Sequence, residues 1–320
     1  MGVPEHGEVV NSFLESMGPR PETLRNIGEM VNLYRKRAHD HLAALVSIYY
    51  PALFLKSGGN EYRKMIELTT KMTIVGRACT ELTGHVFDER RERIANLYGT
   101  CCFLGDSFLD DFGERLSREY IERLQMLLEE GWFEIRNDRE RLFYVILSRL
   151  FRERDIFEIM LRQAIFSLFL TQKHDAELRL DPSRLDGLSQ RARLTFLKQL
   201  ARDRGGYTIS ALTLFLIPHL TLEQHRALFP AGSLLMYIDD HGDCFLDLHF
   251  KRITYMNQVK APARVLRGLY EQSVKSVCNG FGENDGRNLM IGFLFRYFVT
   301  RLEKHRIEQS RTRSRWVVYE

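Results

Sequence analysis

The sequence predicts an all-α protein, a single large helical bundle over residues 1–320. Three observations predict it. Apolar residues recur at three- and four-residue steps through nearly every segment. Only 8 Pro and 22 Gly punctuate 320 residues, too few for a chain of strands and tight turns. The best strand signal is Trp132 to Ile135, four residues beside a turn. A composition of 44% hydrophobic and 28% charged residues fits a globular chain and excludes collagen, low-complexity disorder and a membrane bundle.

The helices are placed in order as follows. After an N-terminal extension over 1–20, Pro21 to Leu55 opens with Pro-Glu, a good first turn, and bends or ends near Pro51. Asn60 to Thr83 carries Met65, Leu68, Met72, Val75 and Cys79 on one stripe. Asp88 to Phe112 is entered by Asp88 with Glu89 in its first turn. Ser117 to Trp132 starts on a Ser that resembles half of a capping box. Asp138–Phe151, Ile156–Lys173, Leu188–Arg204 and Tyr207–Ile217 fill the middle, with a break at Gly205-Gly206. Ala231–Met256, Pro262–Asn279 and Asp285–Arg306 close the bundle, and helical periodicity stops near Ser310. Several of these segments are apolar nearly all round, as helices in the middle of a bundle are.

The 46 basic and 42 acidic residues leave a net charge of +4, well short of a nucleic-acid coat, so no nucleic-acid partner is expected. The five cysteines form no C-x-x-C and sit in apolar runs, which predicts reduced core thiols and a cytoplasmic protein. The opening MGVPEHGEVV lacks the pattern of a secretory signal. The longest uncharged run, 205–222, contains two Gly, a Pro and a His and predicts a buried helix, not a transmembrane segment. No P-loop, no Glu-x-x-His pair and no kinase set in the right order is present.

The informative feature is charge inside apolar helices. In IANLYGTCCFLGDSFLDDFGE, Asp106 and Asp110 are four apart, and Asp111 lies about 100° round the helix. In LLMYIDDHGDCFLDLHF, Asp240, Asp243 and Asp247 are spaced three and four, with Asp239 four before Asp243. Carboxylates in a buried stripe repel one another and pay for desolvation unless a cation compensates them. Two such helices facing each other would make an oxygen-only site suited to Mg²⁺ or Mn²⁺ and completed by substrate phosphates. A solvated helix edge is the plain alternative for either row alone. Against it stand the apolar turns on both sides and the recurrence of D-x-x-x-D at 106–110 and 243–247.

Paired aspartate motifs on two helices of an all-α chain resemble the class I isoprenoid synthase fold. The D-x-x-x-D form is closest to squalene/phytoene-type synthases and to bacterial large-terpene synthases of the tetraprenyl-β-curcumene kind, whose second motif LLMYIDDHGDCFLDLHF resembles. A clean D-D-x-x-D is missing, as is N-x-x-x-S-x-x-x-E. The resemblance implies a Mg²⁺-dependent terpene synthase that ionises an allylic prenyl diphosphate, or a prenyltransferase of the same fold; a non-catalytic helical scaffold is the rival from another class. It implies metal ligation by Asp106, Asp110, Asp111, Asp240, Asp243 and Asp247, with Asp106, Asp110, Asp243 and Asp247 catalytic. Arg77, Lys251, Arg252, Arg315 and Tyr319 are the candidate diphosphate contacts; Lys251 is placed four beyond Asp247 on one helical face. Phe103, Tyr207, Ser210 and Tyr237 are candidate pocket residues. The expected partner is a prenyl diphosphate and the expected assembly a homodimer. The tail 311–320 is expected either to fray or to close over the pocket as a lid.

Overall fold

A computed structural model describes residue 19 and residues 21–106, 108–154 and 158–312, without the side chains of 21, 106, 108–114 and 312. Eleven α-helices and no strand occur among the described residues, so the chain is all-α. They are α1 (Pro21–Tyr49), α2 (Asn60–Leu82), α3 (Glu89–Asp106), α4 (Phe108–Glu130), α5 (Asp138–Arg152), α6 (Ile159–Leu180), α7 (Gln190–Leu216), α8 (Leu222–Gly242), α9 (Cys244–His249), α10 (Pro262–Gly280) and α11 (Asp285–Thr312). No helix among them is long and apolar enough to cross a membrane.

Contacts divide the chain into two compact units, one of residues 1–27, 181–209 and 222–320 and the other of residues 28–180 and 210–221. In the latter, α2 packs along α3 and α3 against α5. Asp88 caps α3: its Oδ1 accepts the Arg91 backbone N–H at 2.9 Å. Asn137 caps α5 in the same way, accepting the Glu140 N–H at 3.0 Å. The α2–α3 seam is threaded by small polar groups. Thr73 Oγ1 donates to Asn96 Oδ1 at 2.9 Å, and the Thr69 and Thr100 hydroxyls meet at 3.2 Å. A Cβ on Gly99 would stand 2.8 Å from the Thr69 Cα, so only glycine lets the helices approach this closely.

In the other unit, α8 packs on α10 and α11, and the fully buried Tyr270 of α10 contacts Phe295 and Phe298 of α11. Past its midpoint, α7 lies against α8 through glycines. A Cβ on Gly205 would fall 2.2 Å from the Gly232 carbonyl oxygen.

Several boundaries differ from the sequence expectation. The predicted break at Gly205-Gly206 is absent and α7 runs through it, because both glycines face α8 in a close crossing. The helix predicted over 88–112 is found as α3 to Asp106 and as a second helix, α4, from Phe108, with residue 107 outside the described residues. That second helix runs through Ser117, which is buried in mid-helix and caps nothing. The helix predicted over 231–256 starts nine residues earlier, at Leu222, passes through Pro230 and stops at Gly242. Residues 132–136 carry no strand.

Candidate functional site

The acidic motif of the α8–α9 corner is the best-defined charged site. Asp239 lies in the last turn of α8, and Asp243 is the non-helical residue between α8 and α9, with φ −100° and ψ 6°. Four residues apart, their carboxylates face the same stretch of α11. Tyr297 donates its hydroxyl to Asp239 Oδ1 at 2.5 Å. Arg301 pairs with Asp239 through Nη2 and lies 3.3 Å from Asp243 through Nη1, and Lys304 pairs with Asp243. Tyr297, Arg301 and Lys304 are spaced four and three, so they line one face of α11.

Two carboxylates therefore meet two cations and a phenol. The phenol stays protonated: burial, then the charges of Asp243 and Asp240, push the Tyr297 pKa well above the ordinary tyrosine range. It acts as a donor at any working pH. The Arg301 guanidinium stands over the Tyr297 ring at 5.5 Å, which fixes its plane. The Asp239 and Asp243 side chains are 39% and 26% exposed, so a hydrated ion can reach them. Their donor set is oxygen only. Mg²⁺ is commonly held by one or two carboxylates with substrate phosphates and water completing its octahedron, and this pair fits that requirement. No group of three or more His, Cys, Asp or Glu that could hold a metal occurs among the described residues.

The remaining expected residues fall elsewhere. Asp240 in α8 and Asp247 in α9 stand on either side of Asp243, whose carbonyl accepts the Asp247 N–H at 2.8 Å. Asp239, four residues before Asp243, shares Arg301 with it. Asp240 is near enough to Tyr237 and Tyr297 to raise the pKa of both. Asp247 is buried in α9 and its carbonyl accepts the Arg252 N–H at 2.8 Å. Lys251 does not share a helical face with Asp247: α9 ends at His249, and Lys251 is exposed in the left-handed region at φ 55°. Arg252 places its guanidinium 5.4 Å from the Phe250 ring.

Arg77 pairs with Glu81 at 2.7 Å and reaches the Tyr34 hydroxyl at 3.2 Å. Phe103 is buried in α3, Ser210 is buried in α7, and Tyr207 packs edge-on against Phe229 at 5.2 Å. Tyr237 is buried on α8 and donates to the Lys198 carbonyl at 2.7 Å. Asp106 is the last residue described in α3, and Asp110 and Asp111 lie in α4; their side chains lie outside the described residues, as do Arg315 and Tyr319.

Sequence reading missed Tyr297, Arg301 and Lys304. The available signal was their 4-3 spacing in YFVTRLEK, the complement of the 239/243 spacing. No protein-family model, curated protein or solved structure matches this chain.

Proposed function

We propose that this protein is a Mg²⁺-dependent class I terpene synthase that ionises an allylic prenyl diphosphate and cyclises or rearranges the carbocation. Prenyl transfer, head-to-head or chain-elongating, is the other outcome of the same ionisation. The observation that carries the proposal is the pairing of Asp239 and Asp243 on the α8–α9 corner with Arg301 and Lys304 on α11. This is a place where oxygen ligands for a hard cation and donors for a diphosphate lie side by side.

When bound, Mg²⁺ supplies charge neutralisation for a leaving diphosphate. Asp239 and Asp243 would hold it. Arg301 and Lys304, released from the carboxylates, would take diphosphate oxygens, Arg301 through its planar fork. Tyr297, kept protonated by burial, would hold Asp239 in orientation. Departure of the diphosphate is favoured because its charge is met by groups already in place. Asp106, Asp110 and Asp111 remain candidate ligands on sequence grounds.

The test is incubation with geranyl, farnesyl and geranylgeranyl diphosphates plus Mg²⁺, followed by analysis of hydrocarbon products and released pyrophosphate. Hydrocarbon formation that stops on chelation is the expected result. No product with any of the three, and no Mg²⁺-dependent rise in melting temperature with a non-hydrolysable analogue, overturns it.

A second reading, a non-catalytic helical scaffold, is favoured by one observation. Arg301 and Lys304 already neutralise Asp239 and Asp243, so the fold needs no metal there. A scaffold shows no metal-dependent shift in the same assay.

A further inference from the structure

A cavity of about 530 Å³ opens where α7, α8 and α10 meet, all within the unit of residues 1–27, 181–209 and 222–320. It lies on the other side of α8 from the acidic corner. Tyr237 faces the cavity, and Asp239, two residues on, is about 200° round the helix. The floor is apolar, from Leu234, Leu269 and the Tyr237 ring. The rim carries Lys198, Arg202 and Gln272, all exposed.

Lys198 and Arg202 are like charges four apart on α7, an arrangement that disfavours the helix unless something compensates it. Neither forms an ion pair among the described residues. Arg202 stands 5.4 Å from the Phe229 ring and donates to Gln199 Oε1 at 3.3 Å; Lys198 stands 6.0 Å from the Tyr255 ring. Of the neighbouring carboxylates, Asp203 is occupied by Gln199 Nε2 at 2.7 Å, and neither it nor Asp240 lines the cavity. The aromatic faces hold both cations in place without neutralising them. No acidic residue lines the cavity, whose volume falls in the range of small-ligand sites.

We infer that this cavity binds a small amphiphilic oxyanion, its phosphate or carboxylate head on Lys198 and Arg202 and its apolar body on Leu234, Tyr237 and Leu269. The guanidinium fork offers two parallel donors to either head group, Lys198 adds a point charge, and Gln272 adds an amide. The site stands apart from the Asp239/Asp243 corner and from the activity proposed for it.

The experiment is calorimetric titration of the full chain in chelator-containing buffer with octyl phosphate, octanoate, inorganic phosphate and octyltrimethylammonium. One or both amphiphilic anions bind at one site, at least tenfold tighter than inorganic phosphate and than the cation; the tighter of the two identifies the head group. The Lys198→Gln/Arg202→Gln variant changes two exposed side chains, keeps its melting temperature and loses at least tenfold in affinity. Leu269→Trp fills the cavity and blocks binding. Absence of saturable binding overturns the inference, as does equal affinity in the double variant or equal affinity for the cation. No Mg²⁺ and no prenyl diphosphate are present, so the outcome is independent of whether the protein turns one over.

Discussion

Two glycine-to-alanine substitutions should move stability in opposite directions. In a helix interior, replacing Gly by Ala gains about 0.5–1 kcal/mol from backbone entropy alone. At Gly268 in α10 that is the whole effect, because a Cβ there meets nothing within 4 Å. At Gly232 in α8 the new Cβ would stand 2.4 Å from the Gly205 carbonyl oxygen and 2.8 Å from Ile209 Cγ1. Ordinary contact begins near 3.4 Å, so the backbones must part by about 1 Å. A backbone oxygen has no rotamer by which to give way. Overpacking of this kind costs about 1–3 kcal/mol, and the upper half applies here. Net of the propensity gain, Gly232→Ala should lose about 1–2 kcal/mol, a fall of about 2–4 °C in melting temperature. Gly268→Ala should rise slightly. Urea titrations read together with thermal melts separate a stability change from a change in denatured-state compactness. Two shifts of the same sign would refute the argument that α7 and α8 are in backbone contact at Gly205 and Gly232.

Other perturbations test the charged groups. Asp243→Asn should reduce turnover of prenyl diphosphates at least a hundredfold and lower stability by less than about 1 kcal/mol, because Arg301 keeps Asp239 and the half-exposed Lys304 rehydrates; near-normal turnover would remove the corner from catalysis. The buried bidentate pair of Arg123 and Glu140, at 2.6 and 2.7 Å, should behave differently. Glu140→Ala should cost about 3–5 kcal/mol by stranding the guanidinium, and adding Arg123→Met should recover part of that in a double-mutant cycle. Burial, then Arg93 and Arg149, hold the His41 pKa below 6.5. The unfolded chain therefore takes up a proton that the folded one refuses, so stability should fall as pH drops through 6.5 towards the lower folded value. His41→Gln should flatten that slope in pH-dependent urea titrations, and an unchanged slope would show that His41 does not contribute.

Helix existence was readable from one-dimensional pattern because each buried stripe is local. Asn60–Thr83 was expected and Asn60–Leu82 is found, since apolar spacing and the glycines before it bound the segment without help from elsewhere. Continuity was not readable. Gly205-Gly206 and Pro230 are local helix breakers, and each sits inside an unbroken helix. The glycines are there for a neighbour: Gly205 meets Gly232, and Gly206 leaves room for the Phe229 ring, whose nearest carbon would stand 2.2 Å from a Cβ. Around Pro230, Ser273 of α10 donates to the Pro230 carbonyl at 3.0 Å, a partner 43 residues away. Propensity yields to tertiary packing at these positions, and nothing within a helical window records the packing.

The same distinction explains what sequence reading could say of the acidic corner. Spacing within α8 identified a set of clustered carboxylates, and counting by three and four from Asp240 put them in one row. The structure ends that helix at Gly242, and Asp239 and Asp243 share Arg301. Compensation also comes from the chain itself, from residues about 60 positions away on α11. Removing a carboxylate from an uncompensated cluster would relieve repulsion and stabilise the fold. Removing Asp243 instead strands part of Lys304 and Arg301, so its loss should cost stability. In the opposite direction, Lys304→Met leaves Asp243 with Arg301 alone at 3.3 Å. The carboxylate is then freer to take a hydrated cation, and Mg²⁺ should raise the melting temperature of Lys304→Met more than that of the parent chain. A variant that responds to Mg²⁺ no more than the parent would mean that Lys304 does not compete with a cation for Asp243.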